Sequence, residues 1–159
     1  MTVFALAWAK SGSPSGGPSV LFYPEEASQT FKKGDPVKLD TTGEIEAAVD
    51  TGGSLGIAGK DATTVTGSEI PVTLFNSHDV FTASASEAGA THTLVQGDVG
   101  LRCSWIKSTV TGETAKTVVD LSDTQGDVFE VVGLRDPVGT VDGRVYFRVV
   151  NSQIIPEGS

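Results

Sequence analysis

The sequence predicts an all-β protein, a compact small barrel or sandwich with an extended N-terminal arm. Apolar bursts of strand length recur from Phe31 onward, and residues that favour tight turns (Gly, Asp, Asn, Thr and Ser) separate them. None of these bursts has the spacing of an amphipathic helix. The composition agrees, because 19 Gly and 7 Pro in 159 residues are more than a helical protein tolerates and too few for a disordered one.

Length and charge limit the function classes. A chain of 159 residues with 38% hydrophobic content is large enough for one domain with a real core. Its 11 basic and 20 acidic residues give a net charge of -9 at pH 7. Such a surface repels phosphate backbones and anionic membranes, so we expect no nucleic-acid partner and no membrane partner.

Residues 1–30 differ from the rest and are predicted to form a flexible arm. The apolar segment Val3–Ala9 is followed by Ser11–Ser19, which has the composition of a linker, and then by the apolar burst Val20–Tyr23. An apolar segment on a tether either folds back as an edge strand or binds a neighbour. We favour a neighbour, because the tether would otherwise serve little purpose. The expected partner-binding residues are Val3, Phe4, Leu6, Trp8, Val20, Leu21, Phe22 and Tyr23.

Residues 31–159 are predicted to form the β-rich domain. In Ser68–Phe75, Ile70, Val72 and Leu74 alternate with Pro71, which lacks an amide proton and predicts an edge or bulged strand. Ala83–Thr93 is expected to form a loop or one short helical turn, and Lys107–Thr117 an exposed loop or hairpin tip. Further strands are predicted at Val37–Leu39, Ile45–Val49, Leu55–Ala58, Val80-Phe81, Leu94–Ile106, Val128–Leu134 and Arg144–Val150. The predicted core residues are Phe31, Val72, Leu74, Val131 and Phe147.

The residues that carry chemistry are few and scattered. His78 and His92 are far apart for a zinc site, and no motif marks a nucleophile for either of them. The single cysteine, Cys103, is expected to be a small buried hydrophobe. Asp120–Asp127 lacks the ligand spacing of an EF-hand and is interpreted as a turn. We therefore predict a protein that is not an enzyme and has no cofactor and no bound metal.

The segment Phe31–Thr82 resembles the capsid decoration (cement) proteins of tailed bacteriophages, including the lambda-type head-stabilising family. The resemblance also includes the N-terminal arm, and the closing hairpin Val128–Leu134 to Arg144–Phe147 is similar to that of the larger cement proteins. The residues that carry it are Gly34–Asp40, Ile45–Ala48, Leu55–Ala58 with Asp61-Ala62, Ile70–Leu74 and Val80-Phe81.

This resemblance implies a β-tulip-like or barrel-like module, a homotrimer, that binds the major capsid protein. It implies a structural virion protein on the outer surface of the expanded head, made in the host cytoplasm, that stabilises contacts between capsid subunits. The arm would order on the capsid, and we expect deletion of residues 1–19 to weaken binding while leaving the β-module folded.

Two other classes remain open. A β-domain of a phage tail or fibre that binds a host glycan would need a cluster of exposed aromatic residues, yet Trp8 and Trp105 are far apart in sequence. A small all-β enzyme such as a trimeric nucleotide hydrolase would need phosphate-handling motifs, and none is found in the sequence.

Overall fold

The computed structural model describes residues 2–11, 16–49, 53–124 and 128–154, which form an all-β fold with one short 3-10 turn at Gln96–Asp98. The predicted fold class, a compact small β protein, is confirmed. The strands in chain order are β1 Ala7–Lys10, β2 Val20–Pro24, β3 Pro36–Leu39, β4 Ile45–Ala47, β5 Gly56–Ala58, β6 Glu69–Leu74, β7 Val80–Ser86, β8 Arg102–Lys107, β9 Thr117–Asp120, β10 Phe129–Leu134 and β11 Arg144–Val149.

Five strands form a closed barrel in the order β7, β11, β10, β8 and β9. Neighbouring strands are antiparallel, except that β9 returns to β7 in parallel orientation. This closing pair is short and joins Ala85 to Val119 and Ser86 to Asp120. β9 therefore does not cover the first half of β7, and another strand is needed along that part of the edge.

Phenylalanine rings fill the centre of the barrel. The Phe129 and Phe147 centroids lie 4.3 Å apart, and Phe75 meets Phe81 edge to face at 5.3 Å. All four rings are fully buried, so each contributes a large area of apolar surface removed from water. The predicted core residues Val131 and Phe147 belong to this barrel core.

The N-terminal segment completes the barrel. Leu6 N donates to Thr117 O at 3.0 Å and Ser84 N donates to Phe4 O at 2.9 Å, so this segment lies between β9 and β7. β1 then pairs with the first half of β7. The side chains of Val3 and Leu6 are 2% and 3% exposed, and Leu6 is part of the barrel core.

This placement corrects the expectation for the first part of the arm. Val3–Ala9 folds back onto its own domain. Without this segment the edge of β7 would have unpaired backbone groups, and the barrel provides apolar surface against which Val3 and Leu6 pack. In this arrangement Val3 and Leu6 are not available to a partner. Residues 12–15 of the linker lie outside the described residues.

The second sheet has the order β2, β6, β5, β3 and β4, all antiparallel. A parallel bridge between Glu25 and Ile45 links the two outer strands, so the sheet curls around a core of its own. Leu74 is only half-buried and packs against this core. The core contains Phe31, Val37, Ile45, Leu55, Ala58, Ile70 and Val72, and it includes the predicted core residues Phe31 and Val72.

Pro71 lies in a central strand, not at the edge that its missing amide proton predicted. β6 is flanked by β2 and β5. Gly59 N donates to Pro71 O at 2.7 Å, but Pro71 has no N–H to return to Gly59, and β5 ends one residue earlier at Ala58. The proline is tolerated because its missing donor falls where the neighbouring strand stops.

Candidate functional site

One face of the second sheet carries exposed apolar residues in register. Val20 lies opposite Thr73, which lies opposite Ile57 on the next strand, and Phe22 lies opposite Pro71. Cross-strand partners share a face of a sheet, so these five residues lie on the same side. We call them the outer face. The barrel core covers this face at Ile57, whereas Val20 is 43% and Phe22 64% exposed.

Among the described residues, no strand pairs with the outer edge of β2 along Val20–Pro24, before the bridge from Glu25 to Ile45. β2 is an end strand of its sheet, and Leu21 between Val20 and Phe22 is 52% exposed. Three consecutive exposed apolar residues on an open strand edge are uncommon in a monomer, because such an edge is a template for pairing with another chain. This edge is the strongest interaction feature among the described residues.

A groove lies where the N-terminal segment passes the second sheet. Its volume is about 180 Å³. Trp8 and Ala7 of β1 form one wall, and Ile57 and Thr73 of the outer face form the other. We call it the junction groove. Its apolar walls and its position beside the outer face make the two features one continuous surface through Thr73 and Ile57.

Trp8 is held in place by the turn between the two sheets. Its indole Nε1 donates to Asp79 Oδ2 at 3.2 Å, and Asn76 Nδ2 donates to the same oxygen at 2.9 Å. Asn76 Oδ1 in turn accepts from the backbone N of His78 and Asp79. The wall of the groove is thus fixed by an Asx turn, and His78 serves as an exposed turn residue.

Asp35 links the second sheet to the barrel by hydrogen bonds. Its carboxylate accepts from Lys32 N at 2.9 Å and from the Thr117 hydroxyl at 2.9 Å, and Lys107 Nζ also donates to it. Lys32 belongs to the second sheet's side and Thr117 to the barrel, so one carboxylate joins the two units. Charge-assisted hydrogen bonds of this kind are stronger than neutral ones.

One lysine lines the groove and a second follows a groove residue in the chain. Lys33 is the lining residue and Lys60 directly follows Gly59, and both lysines are exposed. Neither ammonium has an acceptor among the described residues, whereas Asp61 pairs with Lys32 at 3.6 Å and accepts from the backbone N of Lys33 at 2.8 Å. The chain has only 11 basic residues against 20 acidic ones, so two unpaired lysines here stand out on a negative protein.

Acidic side chains gather instead at the β3–β4 hairpin. A hydrogen bond with Glu46 is the main reason that the pKa of Glu26 is raised, and the neighbouring charges of Asp40 and Glu44 add to it. Lys38, 3.0 Å from Glu46, lowers the pKa of that second carboxyl. The described residues contain no group of three metal-ligating side chains that could hold a metal ion.

His92 lies between two carboxylates, an arrangement that the sequence did not predict. Its Nε2 lies 2.9 Å from Asp98 Oδ2 and its Nδ1 lies 3.6 Å from Glu87 Oε1. Both ring nitrogens thus face carboxylates, and the hydrogen bonds of the described region join the ring to no serine, threonine or cysteine. His92 and its two carboxylates lack the nucleophile that acyl transfer requires. Their contacts stabilise the turn before β8.

Cys103 has the environment of a buried hydrophobe. Burial, with smaller contributions from the charges of Asp120 and Asp123, raises the pKa of its thiol to about 12. The thiol is therefore a poor nucleophile at neutral pH. Asp120 orders a turn by accepting from Ser122 N and Oγ, whereas residues 125–127 of the expected turn lie outside the described residues.

The predicted partner-binding residues divide into three groups. Val3 and Leu6 are buried in the barrel, and Tyr23 is half-buried against the second core. Phe4 is 39% exposed beneath the guanidinium of Arg144, and Trp8 forms the groove wall. The remaining three, Val20, Leu21 and Phe22, stay exposed on β2.

The two tryptophans do not form an exposed aromatic platform. Trp8 is half-buried and Trp105 is 9% exposed inside the barrel. The described residues also contain no helix long and apolar enough to cross a membrane. The chain matches no protein-family model, and neither a curated protein nor a solved structure gives a significant match.

Proposed function

We propose that this chain is a capsid decoration protein of a tailed bacteriophage. In this role it binds the major capsid protein on the outer surface of the expanded head, as a homotrimer, and stabilises contacts between subunits. The observation that carries the proposal is the open edge of β2, where Val20, Leu21 and Phe22 are 43%, 52% and 64% exposed. An exposed apolar strand edge is a template for pairing with another chain, so we expect a partner to cover it.

The position of the resembling segment supports the proposal. Phe31–Thr82, which resembles cement proteins in sequence, spans β3 to β6 and enters β7, and so makes up most of the second sheet. β2 is the strand added to that sheet from the N-terminal thirty residues, which the resemblance assigns to capsid binding. A strand edge gives main-chain hydrogen bonds to a partner, and its side chains give specificity.

A structural role also agrees with the chemistry of the described residues. The His92 ring faces two carboxylates, and the Cys103 thiol is buried with its pKa raised to about 12. Neither group is arranged as a nucleophile with its base. We therefore infer that the protein acts by binding and is not an enzyme.

Co-sedimentation with expanded, undecorated heads of the phage that encodes this chain tests the proposal. We expect saturable binding in a fixed ratio to capsid subunits, and at least tenfold weaker binding by Phe22→Ser and Leu21→Ser. Val138→Ser is the matched control, since Val138 is 57% exposed on the turn between β10 and β11. Absence of saturable binding by the wild-type protein would refute the decoration role.

A further inference from the structure

We propose that the junction groove binds an extended partner segment that inserts one apolar side chain and carries carboxylates beside it. The inference rests on the proposed function in one respect, because it assigns this segment to the major capsid protein. It adds a second contact, separate from the edge of β2, and it states the chemistry of the segment.

The size and lining of the groove select an apolar anchor. Its volume is about 180 Å³, with Trp8 on one wall and Ile57 and Thr73 on the other. A cavity of roughly 150 Å³ accommodates a benzene-sized group, so one leucine or phenylalanine side chain matches this space. Desolvated apolar anchors in pockets supply most of the affinity at protein interfaces.

The backbone around the groove favours an extended chain. β1 is an end strand of the six-stranded sheet, and among the described residues no strand pairs with its second edge. Gly59 also lines the groove and has no side chain, and a Cβ at this position would lie 2.9 Å from Pro71 O. A partner strand added along β1 would bring alternate side chains towards this surface.

The lysines at the groove favour acidic residues next to the apolar anchor of the partner segment. Lys33 lines the groove and exposed Lys60 directly follows the groove residue Gly59, and neither ammonium has an acceptor among the described residues. Exposed charge pairs contribute little affinity but discriminate between partners. An acidic segment is therefore preferred over a basic one, although the protein as a whole carries a net charge of -9.

Peptide binding tests the groove without any capsid. Trp8 is a reporter at the groove wall, and Trp105→Phe removes the second tryptophan signal. We expect a short peptide with Leu between two Asp residues to saturate the Trp8 fluorescence change. Peptides with Leu between two Lys residues, or with Gly between two Asp residues, should bind at least tenfold more weakly.

Charge variants give the matched comparison. Lys33→Glu should weaken the acidic peptide at least tenfold and Lys33→Gln less, while Arg135→Gln, an exposed cation outside the groove, should leave binding unchanged. The amide chemical shifts of Gly34 and Gly59 provide a second measure of peptide binding, in the wild-type protein without the Trp105→Phe substitution. Equal binding of all three peptides, or no saturable binding, would overturn the inference.

Binding to heads separates this inference from the proposed function. Ala7 is exposed at the groove wall, so Ala7→Glu adds a negative charge there and Ala7→Gln adds similar volume without charge. We expect Ala7→Glu to bind expanded heads at least tenfold more weakly than Ala7→Gln. Equal, wild-type binding by both would overturn the groove contact while leaving the decoration role intact. Peptide binding without head binding would instead refute the decoration role alone.

Discussion

The hydroxyl of Thr117 donates to Asp35 Oδ1 at 2.9 Å across 82 residues of sequence. Thr117 begins β9 of the barrel and Asp35 immediately precedes β3 of the second sheet. Asp35 and Thr117 are both buried, so their hydrogen bond lies largely away from water, whereas Lys107 reaches Asp35 from an exposed position. The two sheets are therefore joined by polar chemistry at the junction as well as by apolar packing.

Asp35→Ala is expected to destabilise the whole fold. It removes the acceptor of Lys32 N, the Thr117 hydroxyl and Lys107 Nζ, and hydrogen bonds to charged groups contribute about 1.5–3 kcal/mol each before compensation. We expect a loss of about 2–4 kcal/mol in the free energy of unfolding, measured by urea titration. Asp61→Ala, which removes an exposed ion pair and an exposed hydrogen bond from Lys33 N, is the control and should cost clearly less. An equal loss in both variants would contradict the bridging role of Asp35.

Removal of the N-terminal segment is expected to open the barrel. Leu6 is 3% exposed in the barrel core, and truncation of a buried leucine to alanine costs about 2–5 kcal/mol. Leu6→Ala should lower the urea midpoint accordingly, whereas Ala7→Ser at the exposed neighbouring position should not. Deletion of residues 1–19 should destabilise the module, which reverses the expectation from sequence. A deletion variant as stable as the wild type would show that the barrel closes without β1.

Acid should weaken the contact between Asp136 and Arg144. The hydrogen bonds from Arg144 side chain and backbone lower the pKa of Asp136. A carboxyl whose folded pKa is depressed stabilises the fold above its unfolded pKa of about 3.9, and this contribution is lost as pH falls through the folded value. We expect Asp136→Asn to cost about 1–2 kcal/mol at pH 7 and much less below pH 3, measured by urea unfolding at both pH values. A cost that is the same at both pH values would contradict this assignment.

Cys103 should resist alkylation in the folded protein. With its thiol pKa raised to about 12, on the order of one molecule in ten thousand carries the thiolate at pH 8, whereas an unfolded cysteine titrates near 8.5. Iodoacetamide should therefore label the protein only after addition of urea, as followed by intact mass. The Cys103→Ala variant is the blank for reaction at other residues. Rapid labelling of the folded protein would contradict the buried position of the thiol.

Alternating patterns predicted the strands with two distinct faces. In β11 the residues Val145, Phe147 and Val149 are buried and Arg148 is exposed, as the alternation indicates. In β6, Ile70 and Val72 are fully buried in the second core. These strands were predictable because successive side chains of a half-buried strand alternate between core and solvent, whichever strands lie beside it.

Residues 83–86 were predicted to form a loop or a short helical turn and instead complete β7. Ala83, Ser84, Ala85 and Ser86 are all buried. Small side chains fit where strands crowd together, and the hydroxyls of Ser84 and Ser86 donate to the backbone carbonyls of Asp142 and Val119. Their polarity is satisfied inside the protein, so a pattern based on hydrophobicity misses them.

The junction groove could not be found from sequence. Its lining residues come from four separate stretches, with Trp8 in β1, Lys33 before β3, Ile57 in β5 and Thr73 in β6. None of these residues is unusual in its own stretch, and only the pairing of strands brings them together. The exposed apolar burst of β2, in contrast, was visible because it is a local property.

The place of β1 in the barrel sets an order of events during synthesis. Lys116 Nζ donates to the carbonyl oxygen of Val3 across 113 residues, and the backbone of Leu6 bonds to Thr117. The segment around Val3 and Leu6 therefore cannot reach these β9-side partners until more than a hundred further residues have been translated. Until then its apolar side chains lack the barrel surface that buries them. Closure of the barrel at β9 is for this reason delayed long after the synthesis of the residues that complete it.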